Sequence, residues 1–242
     1  MTAPRYSLIV PAYNEERLLP RLLDSIDVAR AAYAGEGEVE VIVADNSSTD
    51  RTASIAAARG CRVVGVEKRV IAASRNGGAR TAQGEILTFI DADSIVHPRT
   101  FFEIDATLAT GRAVGGATGV TLERWSPGIA VTYAILMSMV FVTGMDTGVV
   151  FCRRRDFEAV GGYDETALVA EDVLFLQALR RLGKTRGQRL MRATSAKAVA
   201  STRKFDEFGD WHFFQLGFVA TRSLLTGNVA DFAKRYWYEP KR

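Results

Sequence analysis

The chain has 242 residues, 48% of them hydrophobic and 24% charged, which is enough apolar material for a large α/β core and excludes a disordered chain. Its formal net charge of +3 suits an anionic ligand or membrane surface but is too mild for nucleic-acid binding, so no nucleic-acid partner is expected. Cys61 and Cys152 make no disulfide framework, and residues 1–5 enter a strand without a signal-peptide apolar stretch, so the cytoplasm is the expected compartment.

Residues 6–11 read as an apolar strand. Beyond the polar turn Asn14-Glu15-Glu16, the residues Leu19, Leu22, Leu23 and Ile26 recur at helical spacing, with Pro20 tolerated in the first turn. A second strand follows at residues 39–44, and Ser47-Ser48-Thr49-Asp50 then offers a cap for a helix through residue 58. Residues 62–66 read as a third strand, 72–82 as a helix and 86–90 as a fourth strand. Such successive βα units argue for a mainly parallel, Rossmann-like sheet that places ligands at the carboxyl ends of its strands.

Directly after the run Ile86-Leu87-Thr88-Phe89-Ile90 stands Asp91-Ala92-Asp93. Residues two apart on an extended segment share a face, so these carboxylates suit a divalent cation, Mg²⁺ or Mn²⁺, that keeps positions open for substrate phosphates. A solvated strand end is the plainer alternative. Residues 126–145 then run without a charge, long enough on paper to span a bilayer. Pro127, Gly128 and Gly144 near the ends, with Thr132, Ser138 and Thr143 within, favour a buried or interfacial helix instead.

Three polar clusters fall at strand ends: Pro11-Ala12-Tyr13-Asn14-Glu15-Glu16, Asp45-Asn46-Ser47-Ser48-Thr49-Asp50 and Asp91-Ala92-Asp93. With the later Gly161-Gly162-Tyr163-Asp164-Glu165 and Glu171-Asp172, they occur in the order that marks family 2 glycosyltransferases of the GT-A fold, which the chain resembles over roughly residues 6–183. The resemblance implies a single GT-A domain over residues 1–200, with a nucleotide-binding half at 1–95 and an acceptor half at 96–200. A short helical, basic-aromatic tail would follow at 201–242.

The implied reaction moves one sugar, with inversion, from a nucleotide-diphosphate sugar to an acceptor hydroxyl, with Asp172 as general base and Asp93 holding the metal. Asp91 and Ala92 would contact the donor. Asp45 would receive a base N–H, Pro11 and Tyr13 would wall the nucleotide slot, and Glu15 would lie near it. The segment Ser74-Arg75-Asn76-Gly77-Gly78-Ala79-Arg80 is similar to another element of the family and makes Arg75 a diphosphate-contact candidate. Asn46 and Ser47 depart from the family's usual Asp and Gly, which loosens the identity of the base.

Plainer readings stand beside these. Asp45 would cap the following helix, Glu15 would be a solvated first-turn charge, Arg75 a surface arginine and Glu171-Asp172 a favourable first helical turn. Ser201-Thr202-Arg203-Lys204 reads as solvated charge, with phosphate contact by its basic pair as the alternative, His97 as a surface residue and His212 as a candidate third metal ligand. A nicotinamide enzyme would need a glycine-rich fingerprint after the first strand, and a sugar nucleotidyltransferase an early glycine-rich loop. Neither is present. A non-catalytic nucleotide-sugar binder would keep the donor motifs without needing Asp172. Gln188-Arg189-Leu190-Met191-Arg192 lacks the tryptophan of the processive synthases, so one sugar per turnover is expected. Finally, residues 126–145 and the tail 234–242 combine apolar surface with basic and aromatic residues, suited to peripheral attachment at an anionic bilayer and a lipid-linked acceptor. The alternative places the apolar segment in the core or a homodimer interface.

Overall fold

The computed structural model describes residues 3–33, 39–167 and 170–213. Its central sheet has seven strands: β1 (Tyr6–Ala12), β2 (Val39–Asp45), β3 (Arg62–Gly65), β4 (Ile86–Phe89), β5 (Ala113–Ala117), β7 (Val150–Arg153) and β8 (Arg189–Arg192), in the order β3-β2-β1-β4-β7-β5-β8. Strands β6 (Val120–Leu122) and β9 (Ala198–Ala200) form a separate parallel pair. Every pairing in the large sheet is parallel except those of β7, which runs antiparallel between β4 and β5.

Strand β1 is buried on both faces, as a central parallel strand must be. Leu8 and Val10 join one core layer with Leu19, Leu22, Leu23 and Ile26 of α1 (Leu19–Tyr33) and Phe101 and Ile104 of α4 (Thr100–Ala109). Ile9 faces the other layer, with Ala72 and Ala79 of α3 (Ile71–Thr81), Phe157 of α6 (Arg154–Val160) and Phe175 and Leu179 of α7 (Glu171–Thr185). The period of two along the strand thus feeds two cores. Helix α3 lies unusually close to the sheet because Gly78 has no side chain: a Cβ there would sit 2.5 Å from Ile9 Cγ2. Helix α2 (Thr52–Ala58) covers the β2–β3 edge.

The expected βα alternation holds over the first four strands. Beyond them, β5 is Ala-Val-Gly-Gly-Ala, a composition with little strand propensity that is held by its neighbours on both sides.

Helix α5 (Pro127–Thr143) forms where the uncharged segment is, with the Ser126 hydroxyl accepting from Ile129 N as cap. Of the two expectations for this segment, a buried or an interfacial helix, the buried one is corrected. Only Gly128, Ile129 and Thr132 are buried, while Val131, Ile135, Leu136, Met139, Phe141 and Val142 are exposed. No helix among the described residues is long and apolar enough to cross a membrane. Of the expected tail, α8 (Arg203–Phe208) is described, and the basic-aromatic residues 234–242 lie outside the described residues.

Candidate active site

The polar clusters meet at the carboxyl ends of β1, β2 and β4, where side chains knit the loops together. Asn14 N donates to Ser48 Oγ at 3.0 Å, Thr49 N to Asn14 Oδ1 at 2.8 Å and Glu15 N to Thr52 Oγ1 at 2.8 Å. Asn46 donates from Nδ2 to the carbonyls of Val66 and Lys68, both at 2.9 Å. The departure from the family's Asp therefore has a local use, since an amide donates to two carbonyls where a carboxylate cannot. Asn14, Ser47 and Ala170 are the non-glycine residues at positive φ among those described. Two of them lie in these loops and the third directly precedes α7, the pattern expected where a site holds its backbone in costly conformations.

Asp45 ends β2. Its Oδ2 accepts from Ser48 N at 3.3 Å, while its Oδ1 is buried without a hydrogen-bond partner among the described residues. It does not cap α2, which begins seven residues later with Asp50 Oδ1 accepting from Thr52 N and Oγ1. A buried unpaired acceptor costs about 1–3 kcal/mol, so this oxygen calls for a donor. The Arg69 guanidinium lies 5.1 Å over the Tyr13 ring, and Pro11 is half-buried near the end of β1.

Asp91 is mostly exposed and Asp93 half-buried. Burial pushes the Asp93 carboxyl up to about 6; the Arg203 guanidinium opposes the rise, while Asp91 and Glu15 add to it. Arg203 Nε stands 3.2 Å from Asp93 Oδ2 and its Nη1 2.8 Å from Glu15 Oε2. Two expectations are thereby corrected. Glu15 is buried rather than solvated, and Arg203 is an ion-pair partner at the acidic strand end rather than free surface charge. Lys204 is also drawn from water, which with the neighbouring Arg203 lowers its amine to about 8. The β6–β9 pair and an antiparallel bridge from Ile95 to Val199 bring this segment over the rim, and Arg124 pairs with Asp206 and Asp210 to hold α8 there.

A crowded carboxylate with one cation opposite fits a divalent metal whose coordination is completed by substrate phosphates and water. Among the described residues no group of three His, Cys, Asp or Glu side chains is gathered to hold a metal, so His212 is not assembled with the acidic pair. Its ring stacks on Phe208 instead. His97 accepts from Arg99 N within its own turn.

Arg75 corrects a further expectation. It is 3% exposed, no surface arginine. Its Nη1 donates to Glu171 Oε1 and Asp172 Oδ1, both at 2.8 Å, and its Nη2 to Asp91 Oδ1 at 2.9 Å. The base candidate Asp172 thus stands across one guanidinium from the donor-side strand end. Its side chain is 21% exposed. Burial raises its carboxyl to about 6; Arg75 opposes the rise, while Asp91 and Glu171 add to it. Behind it, Tyr163 stacks on Phe175 with ring centroids 4.2 Å apart, and Asn76 clasps Tyr163 by accepting from its N and donating to its O, each at 2.9 Å. Gly162 at φ 75 permits that clasp, since a Cβ would meet Asn76 Oδ1 at 2.7 Å.

The sequence profile of the family described as Glycosyl transferase family 2 matches residues 7–126. Validoxylamine A glucosyltransferase of Streptomyces hygroscopicus subsp. limoneus is 33% identical over 109 residues, 40% of this chain and 22% of that protein, so the chain spans well under half of that relative's length. Among solved structures, S. aureus TarS 1-349 in complex with UDP-GlcNAc superposes with a TM-score of 0.65 at 23% identity, covering 82% of this chain and 59% of that one. Glucosyl-3-phosphoglycerate synthase from Mycobacterium tuberculosis, in complex with Mn²⁺ and uridine-diphosphate-glucose, has a TM-score of 0.60 at 23% identity, covering 90% and 79%. At such identities the structures speak for the fold alone, and that fold is the one expected from the strand-end motifs. Over residues 7–126, which run from β1 past β6 and contain all three strand-end clusters, the chain belongs to glycosyl transferase family 2.

Proposed function

We propose that this protein is an inverting glycosyltransferase that moves one sugar from a nucleotide-diphosphate sugar to an acceptor hydroxyl. The observation that carries the proposal is Asp172, a carboxylate held near 6 by burial, open enough to be reached and tied to the same rim as Asp45 and Asp93. A base poised just below neutral is ionised at working pH and retains proton affinity. Asp172 takes the acceptor's proton as the new bond forms at the anomeric carbon, and the bond to the diphosphate breaks on the opposite side, so the configuration inverts.

Residues 1–95 supply the donor slot in this reading. The unpaired Asp45 Oδ1 receives a base N–H, Pro11 and Tyr13 wall the slot and Glu15 braces it through Arg203. Asp91 faces the donor, whereas Ala92, expected to contact it as well, is buried in the core layer with Leu19 and Phe101 and offers no side chain to the slot. Asp93 would hold Mg²⁺ or Mn²⁺, which when bound neutralises the departing diphosphate. The solved neighbours named with UDP-GlcNAc, and with Mn²⁺ and uridine-diphosphate-glucose, support a donor and a metal of these classes. Residues 96–200 supply the acceptor side, including Asp172.

Screening UDP-, GDP- and ADP-sugars with Mn²⁺ or Mg²⁺ for release of the nucleoside diphosphate tests the reading. Release with one donor class is expected. Donor binding without release under any condition would favour a non-catalytic nucleotide-sugar binder, and release of pyrophosphate from a nucleoside triphosphate and a sugar phosphate would favour a nucleotidyltransferase.

A second observation favours an acceptor met at a membrane. The later turns of α5 are apolar around most of the helix and exposed, with Phe141 and Val142 more than four-fifths accessible, and a contiguous apolar patch of this kind marks an interaction surface. An anionic bilayer suits it together with the chain's positive charge, giving peripheral attachment on the inner face of the membrane and a lipid-linked acceptor. Binding to anionic vesicles at low salt, lost in a Phe141→Asp, Val142→Asp variant, is expected. Absence of vesicle binding by the unaltered chain, with a dimer in sedimentation velocity, would assign the patch to a homodimer.

A further inference from the structure

We propose that Arg75 is a positioning residue for the general base, fixing the Asp172 carboxylate on the acceptor side by tying it to the donor-side strand end at Asp91. The inference rests on the reading of Asp172 as base and departs from the expectation that Arg75 contacts the diphosphate. Both terminal nitrogens of the guanidinium are already engaged, Nη1 by Glu171 and Asp172 and Nη2 by Asp91. The side chain is 4% exposed and its plane lies 5.2 Å over the Tyr163 ring, so it is held from the side as well as from the front. A buried cation so engaged is not available to a transferring phosphate.

The fold gives Arg75 no freedom to leave. Helix α3 is pressed onto β1 through Gly78, and the adjacent Asn76 clasps the Tyr163 backbone that underlies α7. One planar fork therefore sets the distance between the end of β4 and the first turn of α7, two elements far apart in sequence. Lysine carries the charge without the fork and cannot meet three carboxylates in one plane. The charged and titratable groups that face Asp172 are Arg75, Asp91, Glu171 and Tyr163. Arg75 is the cation among them, so it also governs how readily Asp172 keeps a proton.

The test uses Arg75→Lys and Arg75→Gln in the full chain, with UDP-glucose and GDP-mannose as donor probes and thermal melting as the check on folding. In Arg75→Gln, kcat is expected to fall about 100-fold or more with donor KM unchanged, with Arg75→Lys intermediate. The midpoint of the Asp172 carboxyl, followed by ¹³C NMR and assigned with Asp172→Asn, should rise by about 1 to 3 pH units in Arg75→Gln. A raised donor KM with kcat intact would return Arg75 to the diphosphate. An unmoved Asp172 midpoint in a folded variant, Lys or Gln, would also overturn the proposal. Failure of the underlying base reading shows separately, as full turnover by Asp172→Asn.

Discussion

Arg203 Nε lies 3.2 Å from Asp93 Oδ2, and through Nη1 the same guanidinium reaches Glu15. A residue near the end of the described chain is thus locked to the acidic end of β4 and the first turn beyond β1. This cation offsets part of the negative charge that Asp93, Asp91 and Glu15 bring together, alongside Arg75 on Asp91 and the nearby Lys204.

If Asp93 holds that metal, Asp93→Ala removes metal-dependent donor turnover while the melting temperature stays close to that of the unaltered chain. A half-buried strand-end carboxylate in an unfavourable field contributes little to packing. Turnover by this variant at the original rate with chelator present would release Asp93 from the role.

With Asp172 as the proposed base, the pH dependence of kcat follows from its carboxyl. Its carboxyl is raised to about 6, chiefly by burial, and only the ionised form accepts a proton from the acceptor. Transfer should be level above pH 7 and fall about tenfold per unit as pH drops below about 6. Asp172→Asn keeps the shape, removes the acid limb and lowers kcat by about two to four orders of magnitude with donor affinity retained. A limb that persists in the Asn variant would belong to another group.

The first half of the fold was legible because its signals are local. Strands β1, β2 and β4 are predominantly apolar, broken only by Ser7, Glu40 and Thr88, and each leads into its polar cluster. The second half depends on partners far away in sequence: β5 carries adjacent glycines, and β7 takes its direction from β4 and β5 rather than from its own residues. The site divides in the same way. Asp45, Asp91, Asp93 and Asp172 were singled out by motif order as candidates. The burial of Arg75 and Glu15 and the reach of Arg203 were not, because each arises from ion pairs between residues about a hundred or more positions apart. A basic pair such as Arg203-Lys204 looks in sequence like any solvated surface charge.

Close packing of α3 on β1 gives a stability prediction. Gly78→Ala places a Cβ 2.5 Å from the side chain of the fully buried Ile9. The overpacking cost of about 1–3 kcal/mol exceeds the roughly 1 kcal/mol that alanine gains in helix propensity. Melting should fall by a few degrees, and kcat should fall further than stability alone explains, because α3 carries Arg75. A variant that melts higher than the unaltered chain would mean that Ile9 yields without cost.

The unpaired oxygen of Asp45 gives the sharpest test of where the nucleotide sits. Asp45 Oδ1 is buried with no donor among the described residues, while Oδ2 is held by Ser48 N. Asp45→Asn keeps one carbonyl oxygen to accept from Ser48 N and turns an NH₂ group toward the slot, where it meets a base N–H donor to donor. A charge-assisted hydrogen bond of about 1.5–3 kcal/mol is thereby exchanged for repulsion, so affinity for the matching nucleoside diphosphate should fall by about 10- to 100-fold or more. Calorimetric titration with UDP and GDP separately reads both the loss and the preferred base. An Asn variant that binds both nucleotides as tightly as the unaltered chain would show that the base lies elsewhere on the rim and that Asp45 serves the β2 turn alone.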